Sequence, residues 1–573
     1  MPSRTHEVVN QPPPLVDYDL FTTDPALQQA VERECAAWAV PRLTEFGRAL
    51  GTEDSIRCGF QANDYPPVLE THDRFGHRRD EVEFHPAWHE LMKLSIANGV
   101  HSLPWAEPRQ GAHVARAALM ILAGENEAGH MCPVSMTYSS IPVLRLAPAL
   151  ARDWEPKVLS TEYDPRFRPH TSKTGALIGM GMTEKQGGSD VRANTTRAEP
   201  ASGAEYRITG HKFFCSAPMC DAFLVLAQAP GGLTCFFLPR WTPDGERNGF
   251  AIQRLKRKLG NRSNASSEVE FENAWAHRIG DEGRGVATIM DMVQHTRLDC
   301  CLGSAAIMRR ALVEAVHHAR YRSAFGRLLS DQPLMRAVLS DLAIESEATT
   351  LMVMRLARAF DRRAFHQSAH NGLAQRGQVR RVLPSVEAAP RGLCAEDAHE
   401  HAVARLATAV SKYWISKRAA AFVGEALECL GGSGYVEESI LPRLFREAPL
   451  NSIWEGSGNV VCLDVLRAFR KEPESIEAYL AEVRLAKGGN RFVDDALAHM
   501  ESALARRPDE AGVRRLAESM AVLLGASLAV RHSPTAVSDA LCTSRLGGDW
   551  GRTFGTLGPA DAAAILERAY PGA

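Results

Sequence analysis

The sequence predicts a mainly α protein with a central β domain, and three observations carry the prediction. Apolar residues recur at helical intervals from Pro25 to about Ala149, fall in short β-rich runs between about Met182 and Ala276, and return to helical spacing near Val286. Helices, then strands, then helices is an order that argues against a doubly wound nucleotide-binding fold, which alternates strand and helix throughout. At 573 residues, 45% of them hydrophobic, the chain has material for several domains sharing a large core.

The first block, residues 1–180, reads as several helices punctuated at Pro66-Pro67, Pro108 and Gly111. In the β block, 181–283, strands are marked by Tyr206 with Ile208, Phe223 to Ala227, Thr234 to Leu238, and Val269 with Phe271. Pro230-Gly231-Gly232 between two of these runs is a hairpin turn. The third block, 284–470, is a helical bundle carrying Val403, Leu406, Val410 and Tyr413 on one face, continued by Val423, Leu427 and Leu430. An aperiodic stretch rich in Gly, Pro and Arg, His370 to Glu400 within an insertion at about 367–400, reads as an inert surface loop between two long helices. Residues 471–573 space Leu516, Met520, Leu523 and Leu524 helically and read as a separate C-terminal helical domain.

The formal net charge of -2 demands neither nucleic acid nor an anionic surface, so any such partner must be read by a local patch. No apolar stretch approaches the roughly 20 residues a membrane span needs, and Met1 to Val16 resembles no export or transit signal, so a cytoplasmic protein away from membranes is expected. The cysteines stand singly except for Cys300-Cys301 and lack metal-ligand spacing, so reduced structural thiols and no metal are expected. His317-His318, and His399 and His401 around Glu400, read as surface histidines.

Three segments carry residue types suited to chemistry. Met182-Thr183-Glu184-Lys185-Gln186-Gly187-Gly188-Ser189-Asp190-Val191 offers hydroxyls and glycine-freed backbone amides to the edge of a planar heterocycle or a pyrophosphate, although such a turn alone is more often just a turn. Lys212-Phe213-Phe214-Cys215-Ser216 offers aromatic faces followed by a hydroxyl; for Phe213 a core position is the better reading. Trp454-Glu455-Gly456 places a carboxylate between an indole and a glycine, poised for the partial desolvation that raises its pKa toward a working base. Gly431-Gly432-Ser433-Gly434 follows a helix and lacks Rossmann spacing.

In this order the three segments, with Arg322-Ser323-Ala324-Phe325-Gly326 plus Gln332 and with Leu430 to Tyr435, resemble the acyl-CoA dehydrogenase superfamily over roughly residues 115 to 470. His6 to Leu15, Gly179 to Val191 and Lys258 to Ser266 are similar to its AidB branch, associated with the response to DNA alkylation. The resemblance implies a helical N-domain, a β-barrel or sandwich and a helical bundle, with the C-terminal helical domain as an addition. It also implies FAD as cofactor. Met182, Thr183, Gly188, Ser189, Phe214 and Ser216 would meet the isoalloxazine and its neighbourhood, with Ser216 donating toward N5; Cys215, Trp454, Ser457 and Asn459 are also expected to bind the cofactor. Arg322, Phe325, Gln332, Gly431 and Gly432 would hold the adenosine and pyrophosphate, partly across a subunit interface, which implies a homotetramer.

Glu455 would take the proton alpha to a thioester carbonyl while hydride leaves the beta carbon for the flavin, with Arg297 nearby tuning its charge. The alternative base position of some relatives is Thr296 here. Phe214, Ser216, Glu428 and Asn459 depart from the usual Trp, Thr, Gln and Gln. In the AidB branch the C-terminal domain is thought to meet double-stranded DNA, which points to Arg467, Arg470, Arg506, Arg507, Arg514 and Arg515. Acids such as Asp494, Asp495, Asp509 and Glu510 intervene, and a solvated mixed-charge surface is an equal reading. Three functions stay open: a DNA-binding, alkylation-response flavoprotein acting on a small acyl-CoA or alkylating molecule; a metabolic short branched-chain acyl-CoA dehydrogenase; and a DNA-binding flavoprotein with an idle site.

Overall fold

The computed structural model describes residues 5–375, 395–506 and 508–570. The N-terminal block contains α1 (Pro25–Arg33), α2 (Val40–Gly51), α3 (Glu53–Asp64), a hairpin of β1 (Val68–His72) and β2 (Arg78–Glu83), α4 (Pro86–Ala97), α5 (Leu103–Ala106), α6 (Ala112–Asn126), α7 (Met131–Leu144) and α8 (Pro148–Val158). Starts are set locally: Asp24 accepts from the Leu27 amide with Pro25 in the first turn, and Thr52 accepts from the Ser55 amide. All fifteen residues of α6 are buried, as befits a helix covered on every side. The β1–β2 hairpin corrects the all-helical expectation for this block. Its turn is built by Asp73, whose carboxylate accepts from the Phe75 and His77 amides, and by Gly76 at φ +88°; short-range turn chemistry overrides helical spacing there.

The β domain holds β3 (Ile178–Gly181), β4 (Arg197–Ser202), β5 (Glu205–Ser216), β6 (Ala222–Ala229), β7 (Gly232–Pro239), β8 (Phe250–Leu255) and β9 (Ser266–Ile279). The hydrogen-bonded path runs β3-β6-β4-β5-β9-β7, and β7 pairs with β6 as well, so the sheet closes on itself; β8 adds to β9. Pro230 and Gly231 form the turn between β6 and β7, with Gly232 at φ +109° opposite Ala229.

Three long helices follow: α9 (Gly285–Tyr321), α10 (Pro333–Gln375) and α11 (Ala395–Cys429), with the two-residue strands β10 (Ser323–Ala324) and β11 (Arg327–Leu328) between the first two. Of the predicted insertion, 376–394 lies outside the described residues, whereas 370–375 and 395–400 are helical. Glu400 is buried and paired with Arg355 of α10, which extends α11 into the stretch read as loop. The buried neighbours His317 and His318 also differ from expectation, because α9 is packed on almost every side.

Beyond them come α12 (Leu441–Glu447), α13 (Gly458–Lys471), α14 (Pro473–Arg484), α15 (Arg491–Ala505), α16 (Val513–His532), α17 (Thr535–Leu541) and α18 (Ala562–Ala569). The segment after Lys471 does not stand apart as expected. α14 and α16 lie on α11, α16 and α18 on α10, and Tyr479, Met520 and Tyr570 belong to the same hydrophobic core as Leu119 and Val410. A second core, containing Phe223, Phe236, Phe237 and Ile252, fills the β domain. The helices after Lys471 extend the core of the bundle.

Candidate active site

The loop between α12 and α13 carries Trp454, Glu455 and Gly456. Glu455 has φ +56° and Gly456 φ +101°; holding a residue with a β-carbon in that region costs about 1–3 kcal/mol, which neighbouring contacts must offset. Arg297 of α9 donates from Nε to the Glu455 carbonyl at 3.0 Å and from Nη1 to Asp464 at 2.5 Å. Arg405 of α11 ties the same Asp464 to Glu472, each at 2.8 Å. Lys412, also on α11, donates to the Gly456 carbonyl at 2.8 Å. The indole of Trp454 donates to Asn451 at 2.9 Å and packs against the β-domain core.

One carboxyl oxygen of Glu455, Oε2, is buried without a hydrogen-bond partner. Burial pushes this carboxyl above its ordinary value; the Thr296 hydroxyl, Lys412 and Arg297 pull it part of the way back. A half-exposed residue with a desolvated, unengaged oxygen has the properties of a proton acceptor.

On the β-domain side, Glu184 and Lys212 form a fully buried ion pair at 2.7 Å, and Lys212 also donates to the Leu226 carbonyl at 2.8 Å. Burial alone would raise the Glu184 carboxyl, but Lys212 brings it down to about 2. The pair sets the phase of β5. Lys212 takes the inward position, and a β-bulge between Lys212 and Cys215 breaks the alternation, so Phe213, read from sequence as core, is half-buried, and the Phe214 ring is 48% exposed. Cys215 returns to the interior, where burial pushes its thiol up to about 12, so its side chain faces away from the exposed Phe214 surface. Ser216 is half-buried, its hydroxyl 3.4 Å from that of Ser266.

Met182 and Thr183 are half-buried, while Gly187, Gly188 and Ser189 are exposed. A β-carbon on Gly188 would lie 2.5 Å from the Thr183 hydroxyl, so only glycine lets the loop fold back onto Thr183.

Cys132 of α7 joins the two halves. It lies within hydrogen-bonding reach of Ser216 and Asn264 and in the field of Glu455, with its thiol driven up to about 12 by burial. The loop from Lys258 to Ser266 closes this side: Lys258 donates to the Asn264 carbonyl at 2.5 Å, and the Asn261 amide donates to Glu447 at 2.5 Å. Burial lowers Lys258 to about 8 and raises Glu447 to about 7. Cys132 and Lys412 were not expected here.

Arg322 donates to the Asn10 carbonyl at 2.5 Å and Gln332 to the Ala324 carbonyl at 2.9 Å, so the N-terminal stretch lies against the β10–β11 turn. Phe325, in that turn at φ +53°, is 99% exposed. Gly431 (φ +60°), Gly432 and Gly187 have open space where a β-carbon would stand. The exposed aromatic faces at Phe214 and Phe325, the open glycine backbone and the Ser216 hydroxyl are each of a kind that suits part of a ligand with planar rings and a pyrophosphate, and among the described residues of the single chain no contact joins Phe214 and Ser216 to Phe325. Ser457 is half-buried and Asn459 exposed at the start of α13.

Among the C-terminal arginines, Arg470, Arg506 and Arg515 are exposed, as is Arg467, which has a partner; Arg507 lies outside the described residues. Arg514 is engaged toward the base loop, donating to Asn459 at 2.9 Å and to the Tyr413 hydroxyl at 3.2 Å. Among the described residues, no group of three or more His, Cys, Asp and Glu is placed to hold a metal, and no helix is long and apolar enough to cross a membrane.

A closed β domain between helical blocks, with a desolvated glutamate linked through Cys132 to the Ser216 end of β5, is the architecture the matches to acyl-CoA dehydrogenase domains identify as an FAD-dependent dehydrogenase. Family models match in order: the adaptive response protein AidB N-terminal domain over residues 10–165, the acyl-CoA dehydrogenase middle domain over 179–274, and its C-terminal domain over 283–373 and 389–469. The chain belongs to the acyl-CoA dehydrogenase family of FAD oxidoreductases, in its AidB branch. It is 46% identical over 541 residues, 94% of each chain, to the putative acyl-CoA dehydrogenase AidB of Escherichia coli (strain K12). The Caenorhabditis elegans ACDH-11 structure in complex with C11-CoA is 25% identical with a TM-score of 0.80, over 99% of this chain and 93% of that one. An acyl-CoA dehydrogenase from Bacillus anthracis complexed with FAD, 17% identical over 84% of this chain and 82% of that one, shares the fold with a TM-score of 0.61.

Proposed function

We propose that this chain uses Glu455 to remove the proton alpha to the carbonyl of a small acyl-CoA, and that it also binds double-stranded DNA as a cytoplasmic homotetramer taking part in the response to alkylating agents. The first half rests on one observation, the buried and unpartnered Glu455 Oε2. A carboxylate oxygen that has lost water and gained no hydrogen bond is primed to accept a proton. FAD, when bound, supplies the hydride acceptor. Phe214, Ser216, Thr183 and the Gly187-Gly188 backbone would hold its ring end; Arg322, Phe325, Gln332, Gly431 and Gly432 would hold the rest. Arg297 positions the Glu455 backbone through its carbonyl.

The DNA-binding half is supported by likeness to the AidB branch and by the exposed Arg470, Arg506 and Arg515. Each phosphate such a cation neutralises releases counterions, so binding should weaken as salt rises. The nearly fully exposed Phe325 supports an assembly in which a second subunit covers it.

The test is anaerobic titration of the FAD-loaded protein with isovaleryl-CoA, with duplex-DNA mobility shifts at low and physiological salt. Bleaching lost in Glu455→Gln, together with salt-sensitive DNA binding, supports both halves. Bleaching with no DNA binding leaves a metabolic dehydrogenase, and DNA binding with no bleaching leaves an idle flavin site.

A further inference from the structure

Lys412 is 1% exposed, one of the largest fully buried side chains in the molecule. Burying an ammonium is costly unless it is paired and hydrogen-bonded. Its hydrogen bond goes to the Gly456 carbonyl, and among the described residues no carboxylate lies within ion-pair distance of it. Glu455 is the acid whose charge it feels. A lysine placed this way is poorly explained by packing, since a methionine would fill the same space without the desolvation penalty.

Its position relative to Arg297 is informative. Arg297 comes from α9 and holds the Glu455 carbonyl; Lys412 comes from α11 and holds the next one, that of Gly456. The Glu455 carbonyl belongs to the Glu455-Gly456 peptide and the Gly456 carbonyl to the next one, so grips from two different helices fix both peptide planes about the Gly456 α-carbon. Together they hold Gly456 at φ +101°, and through Arg297 they hold one side of the adjoining Glu455 at φ +56°, a left-handed backbone which that residue type would not keep unaided.

We propose that Lys412 is a second positioning residue for the base: with Arg297 it clamps the two peptides that flank Gly456 and, through its charge, stabilises the ionised carboxylate needed for proton abstraction. The inference rests on the reading of Glu455 as the base. Thr296, Arg297, Asp299, Cys300 and Cys301 of α9 and Cys132 of α7 complete the titratable and polar surroundings of the pair. Asp299 opposes ionisation of Glu455, and Cys132 shares its field; Lys412 and Arg297 are the two cations favouring the charged form. Removing one of the two leaves burial less opposed, so the carboxyl titrates at higher pH.

The test uses the FAD-loaded full chain and the variants Lys412→Met and Lys412→Arg, with isovaleryl-CoA as probe. In the pH profile of anaerobic flavin bleaching, the acid limb of Lys412→Met should move up by about one pH unit and return most of the way in Lys412→Arg. A merely structural lysine would lower the whole profile without moving that limb, and such a result overturns the proposal. A crystal structure of Lys412→Met needs no substrate and is read separately. The Gly456 carbonyl should turn away and Gly456 leave its φ of +101°; an unmoved loop overturns the proposal even if bleaching fails in the parent protein. Should Lys412→Met not fold, Lys412→Gln, which keeps a donor but no charge, is judged by the limb alone: an unshifted limb again overturns it. If the parent protein is not bleached, the reading of Glu455 as base fails, and the loop geometry alone decides the clamp.

Discussion

The loop bearing Glu455 and the outer face of the helices bearing the C-terminal arginines satisfy their charges in opposite ways. Around Glu455, Arg297, Asp464, Arg405 and Glu472 form a continuous half-buried to buried chain, and Lys412 closes it from the other side. The C-terminal helices keep buried pairs where they meet the bundle, as at Glu482 with Arg355 and Arg545 with Asp341. On their outer face charges are paired at the surface, as where Arg484 bridges Glu477 and Glu501, or left to solvent, as at Arg470, Arg506 and Arg515. Buried charges act on one another through a low dielectric, whereas exposed ones are screened over about 8–10 Å at ordinary salt. The first region is therefore built to hold one carboxylate in one geometry. The second suits a partner that is itself a repeating charge.

The sharpest way to break that contrast is Glu455→Gln. Loss of a general base should slow isovaleryl-CoA-dependent bleaching by roughly 10²- to 10⁴-fold, while FAD content, read from the visible spectrum, stays that of the parent. Because burial raises this carboxyl, the acid limb of the parent's pH profile should lie above the ordinary 4.5. A limb at or below that value would remove desolvation from the account.

Next in size is the other buried pair. Lys212→Met leaves Glu184 enclosed without a cation and should cost about 3–5 kcal/mol of stability, measured by denaturant unfolding. With the folded carboxyl near 2 against 4.5 unfolded, the stabilisation is complete above about pH 4.5 and drains away as pH falls toward 2. An unfolding curve indifferent to this substitution would mean that β5 is phased by something else.

These two pairs also mark where sequence reading stopped. The helix–strand–helix order, the β6–β7 turn and the glycine-rich loop were legible because periodicity and turn chemistry are local. The inward Lys212 was not: its partner lies 28 residues away, and β5 looked like an aromatic strand with Phe213 inside. Lys412 was hidden for the same reason, its carbonyl 44 residues distant. The β1–β2 hairpin was lost among helical spacings, and the shared core of the helices after Lys471 depends on contacts to α10 and α11 that no periodicity encodes. Glu455 was legible as a residue, but not the backbone conformation that gives it use.

On the proposed DNA face, Arg506→Ala and Arg515→Ala should each weaken duplex binding across sequences. Each should also reduce the slope of log affinity against log salt by about 1. Unchanged slopes would return this surface to the solvated mixed-charge reading.

The smallest effect sharpens the comparison most, because Arg514 belongs to both regions. It lies on α16 among the C-terminal arginines, yet it donates to Asn459, at the start of the helix that follows Glu455, and to Tyr413, next to Lys412. If its work is internal, Arg514→Ala should leave the salt slope of DNA binding unchanged. Bleaching should slow roughly two- to tenfold, the worth of a hydrogen bond of about 0.5–1.5 kcal/mol. If its work is external, the slope should fall by about 1 with bleaching untouched. Loss of both in the same variant would make Arg514 the physical link through which a phosphate bound at the surface reaches the loop of the base.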